Sequence, residues 1–179
     1  VRAFVALDPP AEVRSKAAAW GREMAGRDRS LRWIPVAQIH LTLAFLGSVG
    51  PAGLDAAAEA VEAAEGLVGC LSLAEPVWLP KRKPRALAIA IRDEEGELAR
   101  VRSELGARLA TIPGFDTGRS FRPHLTVVRA RRGFDRSSFG ALPPSPQADF
   151  AGESLTLYRS YLDPEGARYE ALHSRPLDA

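Results

Sequence analysis

Apolar residues fall along this chain in blocks that switch between the two-residue period of strands and the three-to-four-residue period of helices. The run Arg2-Ala3-Phe4-Val5-Ala6-Leu7-Asp8 predicts a first strand. Pro9-Pro10 then opens a helix reaching about Gly26, with Val13, Ala17, Trp20 and Met24 on one face. A strand over 31–34 precedes a second apolar strand around His40-Leu41-Thr42-Leu43, which Gly47 and Gly50-Pro51 end. Asp55 is placed to cap an alanine-rich helix running to about Glu65, and 70–74 reads as a strand in which Cys70 is buried. The second half echoes the first. A strand over 86–91 is followed by a helix with Leu98, Val101, Leu105 and Leu109 on one face, then by a strand around His124-Leu125-Thr126-Val127. Pro143, Pro144 and Pro146 impose a loop. Strands over 154–162 and 168–173, joined by a turn at Asp163-Pro164-Glu165-Gly166, close the chain. The repeated order suggests two α+β lobes related by approximate twofold symmetry, although the halves share little identity.

The two histidine segments carry the chemistry. Each places a histidine two residues before a threonine inside an apolar run, and they hold two of the three histidines. Residues two apart on a strand share a face, so each segment presents an imidazole beside a hydroxyl while its aliphatic residues enter the core. Two imidazoles can act as an acid and base pair, and two hydroxyls can donate to the oxygens of an anion held between them. A phosphoester fits best. A lone strand histidine is more often structural, but two copies in matching contexts nearly half a chain apart favour catalysis over coincidence.

Composition narrows the setting. A chain of 179 residues suits one well-cored domain, read here as 1–179. No apolar run approaches the roughly 20 residues of a membrane helix, and the strand-like start predicts no signal peptide; a cytoplasmic monomer without membrane association is expected. The single Cys70 excludes an internal disulfide and makes a poor metal site. Net charge is only +2, but its distribution is uneven. Arg119, Arg122, Arg129, Arg131, Arg132 and Arg136 cluster around the second motif, and Lys81, Arg82, Lys83 and Arg85 form another basic knot. A solvated surface is the ordinary reading of such runs; their position beside a phosphate site tilts it toward RNA contact.

The ordered set of Arg2 to Asp8, Ile39-His40-Leu41-Thr42-Leu43-Ala44-Phe45-Leu46-Gly47, Arg122-Pro123-His124-Leu125-Thr126-Val127-Val128-Arg129, Leu157-Tyr158-Arg159-Ser160 and Tyr169-Glu170-Ala171-Leu172 resembles the two-histidine phosphoesterases, and within them the RNA 2',3'-cyclic phosphodiesterases, also called 2'-5' RNA ligases. The resemblance implies an α+β bilobal fold: two pseudo-symmetric antiparallel-sheet lobes with flanking helices and both histidines meeting in a central cleft. It also implies a metal-independent opening of 2',3'-cyclic phosphate ends of RNA or nucleotides to 2'-phosphomonoesters, without a cofactor, and the reverse 2'-5' ligation. By this resemblance His40 is the general acid and His124 the general base, an order that geometry could reverse. Thr42 and Thr126 would donate to the phosphate, although threonine also favours strands for its own sake. Arg129 matches a phosphate-contacting arginine, and Phe45 an aromatic on which a ribose or base packs, with a core role for Phe45 as the equal alternative. Phe4 is read as core.

Strict alternation sets both Arg129 and Phe45 on the face opposite their histidines, so each needs a strand end or a bulge. His173, outside the repeat, reads as a strand-end residue. A three-histidine zinc site of His40, His124 and His173 is open on ligand count but leaves the threonines unexplained. Two other functions stand beside the leading one: a phosphodiesterase for another small cyclic or 2'-5' nucleotide, and a non-catalytic module that binds RNA ends.

Overall fold

Two antiparallel sheets hold the fold together, and neither is made from one half of the chain. The structure, a computed structural model, describes residues 1–116 and 118–177, so the end of the expected 1–179 domain lies just outside the described residues. In chain order the elements are β1 (Arg2–Asp8), α1 (Ala11–Ala25), β2 (Leu31–Trp33), β3 (Leu41–Ser48), α2 (Pro51–Ala63), β4 (Leu71–Leu79), β5 (Ala86–Arg92), α3 (Glu97–Leu109), β6 (His124–Ala130), α4 (Arg136–Phe139), β7 (Asp149–Phe150), β8 (Ser154–Asp163) and β9 (Gly166–Pro176). The first sheet runs β3-β1-β8-β9 and the second β2-β6-β5-β4-β7. The lobes are therefore not the sequence halves: the closing hairpin β8–β9 completes the sheet that β1 and β3 begin, and β2 crosses over to flank β6. Each motif strand is nevertheless reached in the same way, by a strand, a helix and an antiparallel return: β1-α1-β3 in one sheet and β5-α3-β6 in the other.

The periodicity of the sequence maps onto buried faces. Val13, Ala17, Trp20 and Met24 line the buried side of α1, and Leu98, Val101, Leu105 and Leu109 that of α3. Helix α1 packs on β6 and β2, and α2 on β8, β9 and α3. Among the described residues no helix is long and apolar enough to cross a membrane.

Some local expectations are corrected. Asp55 does not cap α2; the helix starts at Pro51 with Gly50 as its first flanking residue, because proline at the first helical position loses no needed hydrogen bond. Cys70 is exposed, one residue before β4 begins. β4 itself continues past Ala74 to Leu79, and its pairing with β5 is irregular at Pro76, which lacks a ladder donor. His173 lies within β9 rather than at its end.

A close approach of backbones ties α1 to β6. A Cβ on Gly21 of α1 would lie 2.8 Å from both the Cβ and the carbonyl oxygen of Val127 in β6. Replacing a helical glycine by alanine ordinarily favours the helix by about 1 kcal/mol, but here the obstacle is backbone. Gly21→Ala is expected to destabilise the protein by about 1–3 kcal/mol, as overpacked sites do, read as a lower denaturant midpoint. An unchanged or raised midpoint would show that α1 is free to lift away from β6.

Candidate active site

The site is set by where two strands break their own alternation. In the β1–β3 ladder Ala6 pairs with Thr42 and Val5 with Ala44, leaving Leu43 as an extra residue. In the β5–β6 ladder Ala88 pairs with Thr126 and Leu87 with Val128, leaving Val127 extra. Each motif strand thus carries a bulge directly after its threonine. Two successive residues enter the core at each bulge, Leu43 with Ala44 and Val127 with Val128, and all four are buried. The next residue returns to the threonine's face. Phe45 therefore rejoins the face of His40 and Thr42, and Arg129 that of His124 and Thr126, which resolves the parity conflict for both. The second bulge is held by the Gly21 contact and by the Ile34 amide, which donates to the Val127 carbonyl at 2.9 Å.

Both imidazoles are oriented alike. His40 Nδ1–H donates to the Gln38 carbonyl at 2.8 Å, and His124 Nδ1–H donates to the Arg122 carbonyl at 2.6 Å. A carbonyl can only accept, so Nδ1 is protonated in each ring and Nε2 is the nitrogen left for chemistry. The Thr42 hydroxyl sits 3.1 Å from His40 Nε2 and donates to it when the ring is neutral. β3 lies against β6 across the two sheets, and the charges of Arg129 and His124 both act on His40.

His40 is walled by aromatic rings. Phe4, 5% exposed, stacks on it with ring centroids 4.7 Å apart and 28° between planes, and Tyr169 meets it edge-on at 5.2 Å. Tyr158 completes the group, stacked 5.3 Å from Phe4 and 6.1 Å from His40. Phe4 is buried as expected, but against His40. Phe45, by contrast, is 62% exposed, so the core role does not apply to it; its ring is 6.5 Å from that of Phe4.

Sequence reasoning missed Asp8. It shares the cleft face of β1 with Phe4 and Ala6 and accepts from three hydroxyls: Ser154 at 2.8 Å, Thr156 at 2.6 Å and Tyr158 at 2.8 Å. Burial, then the Asp8 carboxylate, pushes the Tyr158 phenol well above its ordinary range, so it stays a donor. The available signal was a carboxylate on the same alternating face as Phe4. On the second sheet, Ala86, Ala88 and Ala90 pair with Arg129, Thr126 and His124, so small side chains floor that side of the cleft. His173 pairs with Leu157 on the opposite, helix-covered face of the first sheet, and its Nε2 is 3.0 Å from Glu62 of α2. It does not join the other two histidines, and no three metal-ligating side chains converge among the described residues.

Burial lowers the His40 pKa from 6.5 to about 4; the Gln38 carbonyl and Asp8 oppose the shift, and Arg129 and His124 add to it. The ring is thus neutral at pH 7. Between about pH 4 and 6.5 the unfolded chain binds a proton here that the folded one does not. Stability from this residue is therefore present at neutral pH and lost as pH falls through that window, by on the order of 3 kcal/mol in all. An NMR titration of His40 is expected to show a midpoint near 4, and His40→Ala to lose less stability than the wild type between pH 7 and 4.5. A midpoint near 6.5 would contradict the burial argument.

Known proteins resemble this chain along most of its length. The family described as LigT like Phosphoesterase matches residues 7–68, which include the first motif. The chain is 29% identical to the RNA 2',3'-cyclic phosphodiesterase of Escherichia coli (strain K12), across 96% of this chain and 93% of that protein. It is 28% identical to that of Archaeoglobus fulgidus, across 96% and 98%. Among solved structures, E. coli LigT complexed with 3'-AMP superposes with a TM-score of 0.80 at 27% identity, covering 99% of this chain and 98% of that one. The ordered signatures, the two antiparallel sheets and these relatives all support one family: the chain is similar along nearly its whole length to the LigT-like phosphoesterases.

Proposed function

We propose that this phosphoesterase opens 2',3'-cyclic phosphates at RNA ends or on nucleotides, leaving a 2'-phosphate, by proton transfer between His40, His124 and the substrate. The observation that carries the reading is the matched pair of imidazoles, each with Nδ1–H tied to the carbonyl two residues before it and Nε2 left for the cleft. The relatives named RNA 2',3'-cyclic phosphodiesterase support the substrate class.

In the proposed reaction His124 Nε2 takes a proton from water, the water oxygen bonds to phosphorus, the bond from phosphorus to O3' breaks, and His40 Nε2–H gives its proton to O3'. Thr42, Thr126 and the Arg129 guanidinium donate to the non-bridging phosphate oxygens, where negative charge concentrates as the ring opens. Phe45 offers an exposed ring for the ribose or base. With an RNA 5'-hydroxyl in place of water, the same transfers in the same direction form a 2'-5' linkage and free the 3'-hydroxyl. One observation favours exchanging the two roles. Burial holds His40 neutral, as a base should be; a bound phosphate anion and Asp8 push it back toward the charged form an acid needs.

His40→Ala and His124→Ala are each expected to slow hydrolysis of adenosine 2',3'-cyclic phosphate by ~100 to 10,000-fold, with His173→Ala near wild type and activity retained in chelator. Equal losses from all three, or loss on chelation with recovery on added zinc, would sink the mechanism. A substrate with sulfur at the bridging 3' position assigns the roles, because a thiolate leaves without a proton. Rescue of His40→Ala on that substrate marks His40 as the acid; rescue of His124→Ala instead reverses the order.

A further inference from the structure

Beyond the end of β6 the surface turns strongly basic without being neutralised. The β4–β5 loop carries Lys81, Arg82 and Lys83, and the segment after β6 carries Arg131, Arg132 and Arg136. Lys81 to Lys83, Phe134 and Arg136 line an open depression of ≈ 670 Å³. Its shape is preset. The Arg136 guanidinium donates to the Lys81 carbonyl at 2.7 Å, tying the two segments together, and the Ala130 amide donates to the Arg85 carbonyl at 2.8 Å. Phe134 is anchored from below by Trp78, with ring centroids 5.0 Å apart.

The one carboxylate in this region, Asp135, is taken by the amide and hydroxyl of Ser137. Some cations elsewhere are paired, as Lys16 with Glu12, Arg27 with Glu23 and Arg108 with Glu104. Among the described residues none of these six cations, four lining the depression and Arg131 and Arg132 in the segment that leads to it, makes an ion pair with a carboxylate. Holding like charges together unneutralised is unfavourable, so such a cluster on a preset surface calls for a polyanion.

Its position says which one. His124, Thr126 and Arg129 follow one another along β6 on the cleft face, and the depression opens where that strand ends. At about 3.3 Å per residue, Arg131 lies roughly 20 Å of strand from His124. A mononucleotide with its phosphate at the histidines falls short of that distance, whereas an RNA strand of a few nucleotides spans it.

We propose that this depression is a second binding site, for the phosphodiester backbone of single-stranded RNA upstream of the 2',3'-cyclic end, with Phe134 available to a base. The site makes oligonucleotides, rather than cyclic mononucleotides, the preferred substrate. The inference rests on the proposed reaction for its direction along the cleft, but binding can be read without turnover.

The test compares wild type with two combined variants drawn from different segments, Lys81→Ala/Arg82→Ala/Lys83→Ala and Arg131→Ala/Arg132→Ala. Each is assayed on a short RNA ending in a 2',3'-cyclic phosphate and on adenosine 2',3'-cyclic phosphate, over a range of salt. The first variant is expected to raise KM for the RNA ~10-fold or more at low salt and to flatten the slope of log KM against log salt by about 2, as loss of three phosphate contacts would at ~0.7 each. Turnover of the mononucleotide stays at wild-type level in both variants. An RNA KM unchanged in both variants, or losses that are equal for RNA and mononucleotide in both, would overturn the proposal. Fluorescence anisotropy with a labelled single-stranded RNA separates the two readings. Salt-dependent binding that the variants lose, in a wild-type protein that opens neither substrate, would leave the groove standing and reject the reaction; normal turnover with binding unaffected by the variants would do the reverse.

Discussion

A strand that must show three functional side chains to a cleft while burying aliphatic neighbours faces one constraint: its side chains alternate strictly. Both motif strands meet it by inserting a residue immediately after the threonine, Leu43 in β3 and Val127 in β6, and β3 inserts a second, Leu46, before Gly47. Each insertion after a threonine adds one core residue and turns the next side chain back to the cleft. Without it, Phe45 and Arg129 would be driven toward the core, where a guanidinium has no partner and is strongly disfavoured. The two bulges are the nearest thing this fold has to internal symmetry. They occupy the same offset from the histidine in both sheets, although the residues they present differ, an aromatic ring on one side and a cation on the other. The rest of the site hangs on this arrangement, and one of its supports lies outside the cleft: Gly21 lets α1 come close enough to hold the Val127 turn.

The two imidazoles share orientation but not surroundings. His40 lies among Phe4, Tyr158 and Tyr169, and burial favours its neutral form. Asp8, kept in place by three hydroxyl donors, is the nearby charge working in the other direction. A bound phosphate adds to the Asp8 side of that balance, so the protonation of His40 is coupled to occupancy of the cleft. Both rings are half-buried, but His40 alone is packed among aromatic rings that favour its neutral form, a physical basis for dividing two proton transfers between chemically identical groups. The alanines of β5 pair with His124, Thr126 and Arg129, and Ala88 is fully buried beside them.

Much of the frame was legible because it depends on local pattern. The apolar stripes of α1 and α3, the strands around both motifs and the turn between β8 and β9 come from spacing and from proline and glycine. What was hidden depends on pairing between distant segments. No local feature says that β2 leaves the first-half strands to flank β6, or that Leu43 and Val127 are extra residues, since a bulge is defined by the partner strand. Alternation alone did show that Phe45 and Arg129 required one. Asp8, Tyr158 and Tyr169 were overlooked because each sits in an ordinary strand context, and only the β1–β8–β9 register brings them beside His40. Asp55 and Cys70 misled for opposite reasons: a good capping residue fell inside a helix that Pro51 had already started, and an apolar-looking cysteine fell just before its strand.

The central claim is that His40 and His124 face one phosphate through Nε2 while Nδ1 of each remains protonated on a backbone carbonyl. Imidazole ¹⁵N resonances of the wild-type protein, followed during titration with adenosine 2'-phosphate, test this directly. Nε2 of both residues is expected to shift along a single binding curve, Nδ1 of both to keep its proton throughout, and His173 not to respond. A response from only one of the two rings, two separate binding curves, or a proton that resides on Nε2 in the free protein would contradict the claim.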